Sequence, residues 1–163
     1  MMSVDMSIRK IMVPIDGSKP SERAAEYALY LAKMMKAHVT AVYVMNLPAY
    51  AFAATPIEGV PAPAAIPIPL TISTEERKIA QSYFDRVGEM AKKAGIAVET
   101  KIVENQQSVV HAITEFAEKE GCDLIVMGTK GRTGITRFLL GSVASGVVTY
   151  ARCPVLVVRK SGR

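Results

Sequence analysis

The chain has 163 residues and a mass of 17.6 kDa, which is the usual size of one domain with a sizeable hydrophobic core. Half of its residues are apolar and 21% are charged, a composition that excludes an intrinsically disordered protein. The net charge is +5, and seven basic and no acidic residues lie between Gly128 and Arg163, against 13 basic and 15 acidic residues before them. A basic surface over the whole domain is typical of nucleic-acid-binding proteins, whereas a basic segment at one end favours a small polyanion as ligand.

The cysteine, histidine and hydropathy patterns exclude further classes of protein. Cys122 and Cys153 are too few for a disulfide framework and lack metal-binding spacing, so we expect two reduced thiols in a cytoplasmic protein. His38 and His111 have no acidic or cysteine partner at metal-ligand spacing. The N-terminus has no secretory h-region, and five prolines interrupt the apolar stretch 49–70, so no membrane-spanning helix is predicted.

The first part of the chain alternates between strand and helix patterns. Lys10–Ile15 is a short apolar run that predicts a strand followed by a turn, with Pro14 tolerated only near the strand end. Ser21–Ala37 predicts a helix with Ser21 as its N-cap, and His38–Met45 predicts a second strand. The predicted buried positions of the helix are Ala25, Ala28, Leu29, Ala32 and Met35.

A proline- and alanine-rich connection, Asn46–Leu70, follows the second strand. Connections longer than about 12–15 residues are unusual inside a domain, so we interpret the chain as one domain, 1–163, with an insertion at about 46–72. Whether the insertion is disordered, a lid or a partner surface stays open. A helix is predicted from Ser73 or Thr74 to Ala94. Its predicted buried stripe comprises Ile79, Tyr83, Val87, Met90 and Ala94, and we expect the methionines, including Met34, Met35 and Met90, to fill the core.

The second half repeats the alternation. We predict strands at Ile96–Val103, Asp123–Met127 and Val155–Val158, and helices at Ser108–Glu120 and from about Gly141 to Tyr150. The continuous apolar run of the fourth strand indicates burial on both faces, as in a parallel sheet covered by helices. The order of elements predicts an α/β fold, a three-layer doubly wound sheet of five parallel strands.

The segment after the fourth strand has the spacing G-x2-G-x9-G-S, which is neither a P-loop nor the Rossmann GxGxxG. Gly128 would let the backbone pass close to a sugar or base, and Gly131 can take a positive φ. Gly141 would admit phosphate oxygens to the N–H groups of the last helix, where Ser142 adds a hydroxyl. The unneutralised basic residues of the segment are Lys130, Arg132 and Arg137. A tight connection with surface basic residues is the alternative.

Four stretches together resemble the universal stress protein family over roughly residues 8 to 159. They are Lys10–Ser18, Asp123–Gly128, the G-x2-G-x9-G-S segment and Cys153–Val158. The resemblance implies a Rossmann-like fold similar to adenine nucleotide alpha hydrolases, with strand order 3-2-1-4-5. The complete glycine spacing is similar to that of the family's ATP-binding branch. In that strand order the carboxyl ends of strands one and four meet at a switch point, where ligands of open α/β sheets bind.

The resemblance also implies a set of ligand-binding residues. Gly128, Gly131, Gly141 and Ser142 would hold ribose and phosphates, with an N–H from Val143 and positive charge from Lys130 and Arg132. Asp16 would reach the ribose or an ATP-bound Mg²⁺ or Mn²⁺. Pro14 and Ile15 would line the same edge, Val44 would meet adenine and Met127 would pack beside it. The loop Glu104–Ser108 lacks the glycine-proline turn common in the family, so no contact is assigned to it.

Three functions remain open from the sequence. The first is a regulatory stress-response module that binds ATP, or AMP or ADP, and is read by an unidentified protein partner. The second is a slow metal-dependent ATPase that uses Asp16, although no arrangement of catalytic residues is recognisable. The third is a nucleotide-free interaction protein. In all three a homodimer through the edge strand Val155–Val158 is expected, both from the resemblance and because an apolar sheet edge needs cover.

Overall fold

The computed structural model describes residues 6–46, 68–105, 107–130 and 139–159. Within these ranges the chain forms five strands and four helices that alternate along the sequence. Their bounds are β1 Lys10–Pro14, α1 Lys19–Met35, β2 His38–Asn46, α2 Ile68–Ala94, β3 Val98–Asn105, α3 Val109–Lys119, β4 Leu124–Gly128, α4 Ser142–Tyr150 and β5 Val155–Val158. None of the helices in this described part of the chain combines the length and the hydropathy needed to cross a bilayer.

The five strands form one parallel sheet in the order β3-β2-β1-β4-β5, which confirms the predicted fold. Helices α1 and α2 cover one face and α3 and α4 the other, so the core consists of two apolar clusters separated by the sheet. The first four residues of β4, Leu124–Met127, are all buried, as their unbroken apolar run predicts. The carboxyl ends of β1, β2 and β4 consequently share one edge of the sheet.

Helix α1 begins earlier than predicted. Its N-cap is Ser18, not Ser21: the Ser18 Oγ accepts a hydrogen bond of 3.2 Å from the Ser21 N–H. Pro20 lies in the first turn, where its missing N–H costs nothing. Ser21 is instead a buried residue whose Oγ donates to the Ser18 carbonyl at 2.9 Å.

The predicted start of α2 at Ser73 or Thr74 is also wrong, because the helix begins at Ile68. Pro69 lies in the first helical turn, which tolerates proline. Residues 47–67 of the insertion lie outside the described residues.

Burial in α1 and α2 differs from the prediction at several positions. The buried face of α2 is shifted by one residue at most positions, and it comprises Ala80, Phe84, Val87 and Ala91. Ile79 is instead 41% exposed. Met34 and Met35 of α1 are exposed and are not core residues. Among the described residues, Met12, Met45 and Met127 are buried in the core, and Met90 packs partly buried against it.

A cluster of side chains joins α2 to the turn between β1 and α1. Gly17 has φ +79°, and a Cβ there would lie 2.1 Å from the Tyr83 ring, so only glycine fits under that ring. The Arg86 guanidinium lies 5.7 Å from the centroid of the same ring. It also donates at 2.6 Å to Glu22, whose side chain is 15% exposed. The first turn of α1 and the middle of α2 are thereby held together beside the carboxyl end of β1.

We expect Arg86→Gln to lower the free energy of unfolding by about 1 kcal/mol at pH 7, because it removes an ion pair and a cation–π contact. Burial acts to raise the pKa of Glu22, but hydrogen bonds and charge from Arg86 and Lys19 outweigh it and hold that pKa below its usual 4.5. The stabilisation is therefore present above pH 4.5 and is lost as the pH falls through the lowered pKa. Urea unfolding at pH 7 and pH 3 measures this difference.

The control for this prediction is Arg23→Gln, which breaks a more exposed pair with Glu26 on α1. Its effect on stability is expected to be smaller at pH 7. A loss in Arg86→Gln that is the same at both pH values would contradict the role given to Glu22.

Candidate functional site

A cavity of about 590 Å³ opens at the carboxyl edge of the sheet, where β1, β2 and β4 end and α4 begins. Ten of the twelve residues predicted for the site line it: Pro14, Ile15, Asp16, Val44, Met127, Gly128, Lys130, Gly141, Ser142 and Val143. The other two, Gly131 and Arg132, lie outside the described residues. Stretches of chain more than a hundred residues apart thus meet at the switch point between β1 and β4.

The position of α4 is fixed by a short backbone contact. The Gly141 N–H donates a hydrogen bond of 2.7 Å to the carbonyl of Thr129, which directly follows β4. The first turn of α4 is thereby placed beside the carboxyl end of β4, at the mouth of the cavity.

The N-terminus of α4 presents backbone donors to the cavity. Gly141 is the N-cap and has no side chain to accept from the first turn. The first hydrogen bond of the helix runs from the Ser145 N–H to the Gly141 carbonyl, so the N–H groups of Ser142, Val143 and Ala144 have no acceptor within the helix. All three residues line the cavity, and the helix dipole adds partial positive charge there. Lys130 lines the same cavity, so this end suits an anion.

Two glycines of the motif have a packing role besides the ligand contacts expected from the sequence. A Cβ on Gly128 would lie 2.6 Å from the Pro20 Cβ and 2.7 Å from its backbone carbon, so this glycine makes room for the start of α1. A Cβ on Gly141 would lie 3.0 Å from the Thr129 carbonyl oxygen. A side chain at Gly128 would therefore clash with the backbone of α1, whereas one at Gly141 would lie tightly against the Thr129 carbonyl.

Asp16 lies in a turn and also lines the cavity. Its Oδ1 accepts a hydrogen bond of 2.9 Å from the Ser18 N–H, as in an Asx turn, and the half-buried residue also lines the cavity. The described residues contain no group of three or more His, Cys, Asp or Glu side chains placed to hold a metal ion. A Mg²⁺ or Mn²⁺ at Asp16 would therefore need phosphate oxygens and water as its other ligands, which is how Mg²⁺ is usually bound with nucleotides.

Part of the cavity lining is apolar. It includes Val44 of β2, Met127 of β4, and Val109 and Ile113 of α3, which pack together in the apolar cluster between the sheet and α3 and α4. Such a surface suits the flat face of an aromatic base.

Sequence reasoning missed several lining residues, among them Tyr43, Asn46 and Glu76. A signal for Glu76 existed, because a helix that follows a parallel strand starts at the carboxyl edge of the sheet, where α2 starts. The burial pattern could not show which face of α2 points to the cavity.

The cysteines lie elsewhere. Cys122 and Cys153 are free thiols that line a separate cavity of about 200 Å³, near the amino ends of β4 and β5. Burial and the neighbouring Cys153 raise the pKa of Cys122 to about 11. Cys122 is therefore a protonated, weakly nucleophilic thiol at neutral pH.

We expect Gly128→Ala to destabilise the fold by about 1–3 kcal/mol, because the new methyl group meets the backbone of Pro20, which cannot rotate away. Chemical unfolding of the purified variant measures this loss. Gly88→Ala is the matched control, since a Cβ there has nothing within 4 Å and alanine favours the α2 helix by up to about 1 kcal/mol. Equal stability of Gly128→Ala and the wild type would refute the packing role.

Comparison with known proteins agrees with the fold and the motifs. The sequence model of the universal stress protein family matches residues 7–159. Universal stress protein MJ0531 of Methanocaldococcus jannaschii is 41% identical over 152 residues, covering 93% of this chain and 82% of the relative.

Solved structures show the same architecture. Universal stress protein UspA of Lactobacillus plantarum superposes with a TM-score of 0.74 at 27% identity, over 93% of this chain and 98% of that one. The universal stress protein of Archaeoglobus fulgidus in complex with dAMP has a TM-score of 0.60 at 21% identity, over 93% and 98% of the two chains. The protein described here therefore belongs to the universal stress protein family.

Proposed function

We propose that this protein binds ATP, or a close adenine nucleotide such as AMP or ADP, in the cavity at the carboxyl edge of the sheet. The observation that carries the proposal is a cavity of about 590 Å³ with a helix N-terminus and Lys130 at one end and an apolar wall beside it. Phosphates need the first feature and an aromatic base the second. An adenine nucleotide has both parts.

In this proposal the phosphates lie against the first turn of α4. The N–H groups of Ser142, Val143 and Ala144, together with the Ser142 hydroxyl, would donate to phosphate oxygens, and Lys130 would add a full positive charge. Gly131 and Arg132 belong to the proposed site because of the glycine motif alone.

The nucleoside would occupy the rest of the cavity. Val44, Met127, Pro14 and Ile15 would contact the base, and Asp16 would reach the ribose or a cation held by the phosphates. The Archaeoglobus fulgidus structure with dAMP is a precedent for an adenine nucleotide on this fold.

The bound nucleotide would serve as a signal. We infer that a protein partner in the cytoplasm reads the nucleotide-bound state as part of a stress response. The site offers many groups that would bind phosphate, which suits a module that holds its ligand.

The phosphate assignment is tested by Ser142→Asp. An aspartate at the first position of α4 stabilises the helix but repels phosphate, so ATP affinity is expected to fall about tenfold or more while the fold is kept. Isothermal titration calorimetry measures the affinity, and thermal unfolding reports the fold. Binding of uncharged adenosine should be nearly unchanged.

The matched control is Thr149→Asp, which adds the same charge to an exposed position about 10 Å further along α4. ATP should bind this variant almost as it binds the wild type. Unchanged ATP affinity in Ser142→Asp would sink the assignment of phosphate to α4.

We further propose a homodimer through β5. This strand pairs with β4 on one side and forms the edge of the sheet, with Leu156 37% exposed. Two exposed apolar residues of α4, Val148 and Tyr150, precede it in the sequence. An apolar edge strand is a template for pairing with a second chain, and a second copy offers the same edge.

Leu156→Lys is expected to weaken this dimer at least tenfold, because a charge on an edge strand opposes pairing. Sedimentation equilibrium over a concentration series measures the dissociation constant. The control is Met34→Lys, which changes an equally apolar side chain that is 68% exposed on α1. A wild-type protein that stays monomeric at high micromolar concentration would refute the dimer.

A further inference from the structure

The cavity carries opposite charge on different walls. The first turn of α4 and Lys130 form a positive end, whereas Asp16 and Glu76 add two carboxylates elsewhere on the lining. If phosphates occupy the positive end, as the proposed function requires, charge repulsion favours the nucleoside, and not the phosphates, beside Glu76. Asp16 already accepts from the Ser18 N–H, but Glu76 comes from a different element, α2, and approaches the cavity from the side of α1 and α2.

Glu76 is placed by the aromatic cluster under α2. Its Oε1 lies 3.4 Å from the Tyr43 hydroxyl, and Tyr43 is buried with its ring centroid 6.1 Å from that of Tyr83. Tyr83 in turn covers Gly17 beside the end of β1. The Tyr43 hydroxyl can therefore orient the Glu76 carboxylate along the cavity wall. A distance of 3.4 Å is long for a hydroxyl donor, so the carboxylate retains capacity for stronger donors.

The charges next to Glu76 on α2 are engaged with other residues. Lys78 pairs with Glu75 at 3.1 Å, and Arg77 pairs with Glu104 of β3. The hydrogen-bond donor that meets Glu76 in the described residues is thus a neutral phenol and not a cation. A carboxylate in this position accepts hydrogen bonds and cannot donate them when ionised.

We propose that Glu76 is a specificity-determining residue, which accepts a hydrogen bond from the nucleoside part of the ligand. The donor is a ribose hydroxyl or the exocyclic amine of the base, which are the groups of adenosine that can donate to a carboxylate. The inference rests on the proposed nucleotide site. It adds that the site selects ligands that carry a hydrogen-bond donor next to Glu76. A ligand lacking that donor would leave the carboxylate without its better partner, which lowers affinity strongly in sites built for hydrogen bonding.

Four ligands identify which hydrogen-bond donor of the nucleoside Glu76 binds. They are ATP, 2′-deoxy-ATP, 3′-deoxy-ATP and purine riboside triphosphate, which lacks the 6-amino group. Their dissociation constants are measured for the wild type, Glu76→Gln and Glu76→Ala. We expect both variants to lose about tenfold or more in ATP affinity, as for a charge-assisted hydrogen bond. The analogue that lacks the relevant donor should bind weakly to the wild type and lose nothing further in Glu76→Ala.

Glu75→Gln is the matched control, because Glu75 is the neighbouring carboxylate on α2, is largely exposed and does not line the cavity. It should bind all four ligands as the wild type does. Thermal unfolding checks that the Glu76 variants remain folded.

The inference is overturned if Glu76→Ala leaves ATP affinity unchanged, raises it, or lowers the affinity of all four ligands equally. The last result would mean that Glu76 acts through the fold or through net charge. Failure of the proposed function looks different, because the wild type would then bind none of the four ligands, and both proposals would fall together.

Discussion

The hydrogen bond from the Gly141 N–H to the Thr129 carbonyl determines where α4 begins relative to the sheet. Because β4 is buried on both faces and paired with β1 and β5, Thr129 is a fixed point at the carboxyl edge. Ala144 and Val147 pack in the core with α3, and this packing together with the Thr129 contact places the first turn of α4 at the cavity. A Cβ on Gly141 would crowd that contact.

The part of the cavity lined by Asp16 and Glu76 depends on contacts made by α2. Tyr83 lies over Gly17 and is joined to Glu22 through Arg86, so α2 is held against the turn that carries Asp16. The same helix brings Glu76 to the cavity wall. Displacement of α2 would therefore move Glu76 without a direct effect on the first turn of α4. In the proposed site, this separation would allow phosphate binding and nucleoside recognition to be changed independently by mutation.

Much of this arrangement could be predicted from the sequence, because alternation of strand and helix patterns and the unbroken run of β4 leave few alternatives to a parallel sheet. The glycine spacing after β4 located the cavity, but the need for Gly128 to accommodate Pro20 involves residues far apart in the chain.

The start of α2 was missed because Pro69 is compatible with a first helical turn as well as with a loop. Its predicted stripe was off-centre: Ile79 is exposed and Met90 only partly buried, because the alanines at 80 and 91 fit the helical period equally well. Glu76 was missed because the apolar pattern of α2 predicts its buried face but does not show which other face borders the cavity.

The central claim is that the first N–H groups of α4 bind the phosphates of an adenine nucleotide. It is tested most directly by two-dimensional ¹H–¹⁵N NMR of the labelled protein titrated with ATP and, separately, with adenosine. We expect ATP to shift the amide resonances of Ser142, Val143 and Ala144 strongly, and adenosine to shift them little while still moving resonances of Val44 and Met127. Saturating ATP that leaves the three α4 amides unmoved would contradict the account.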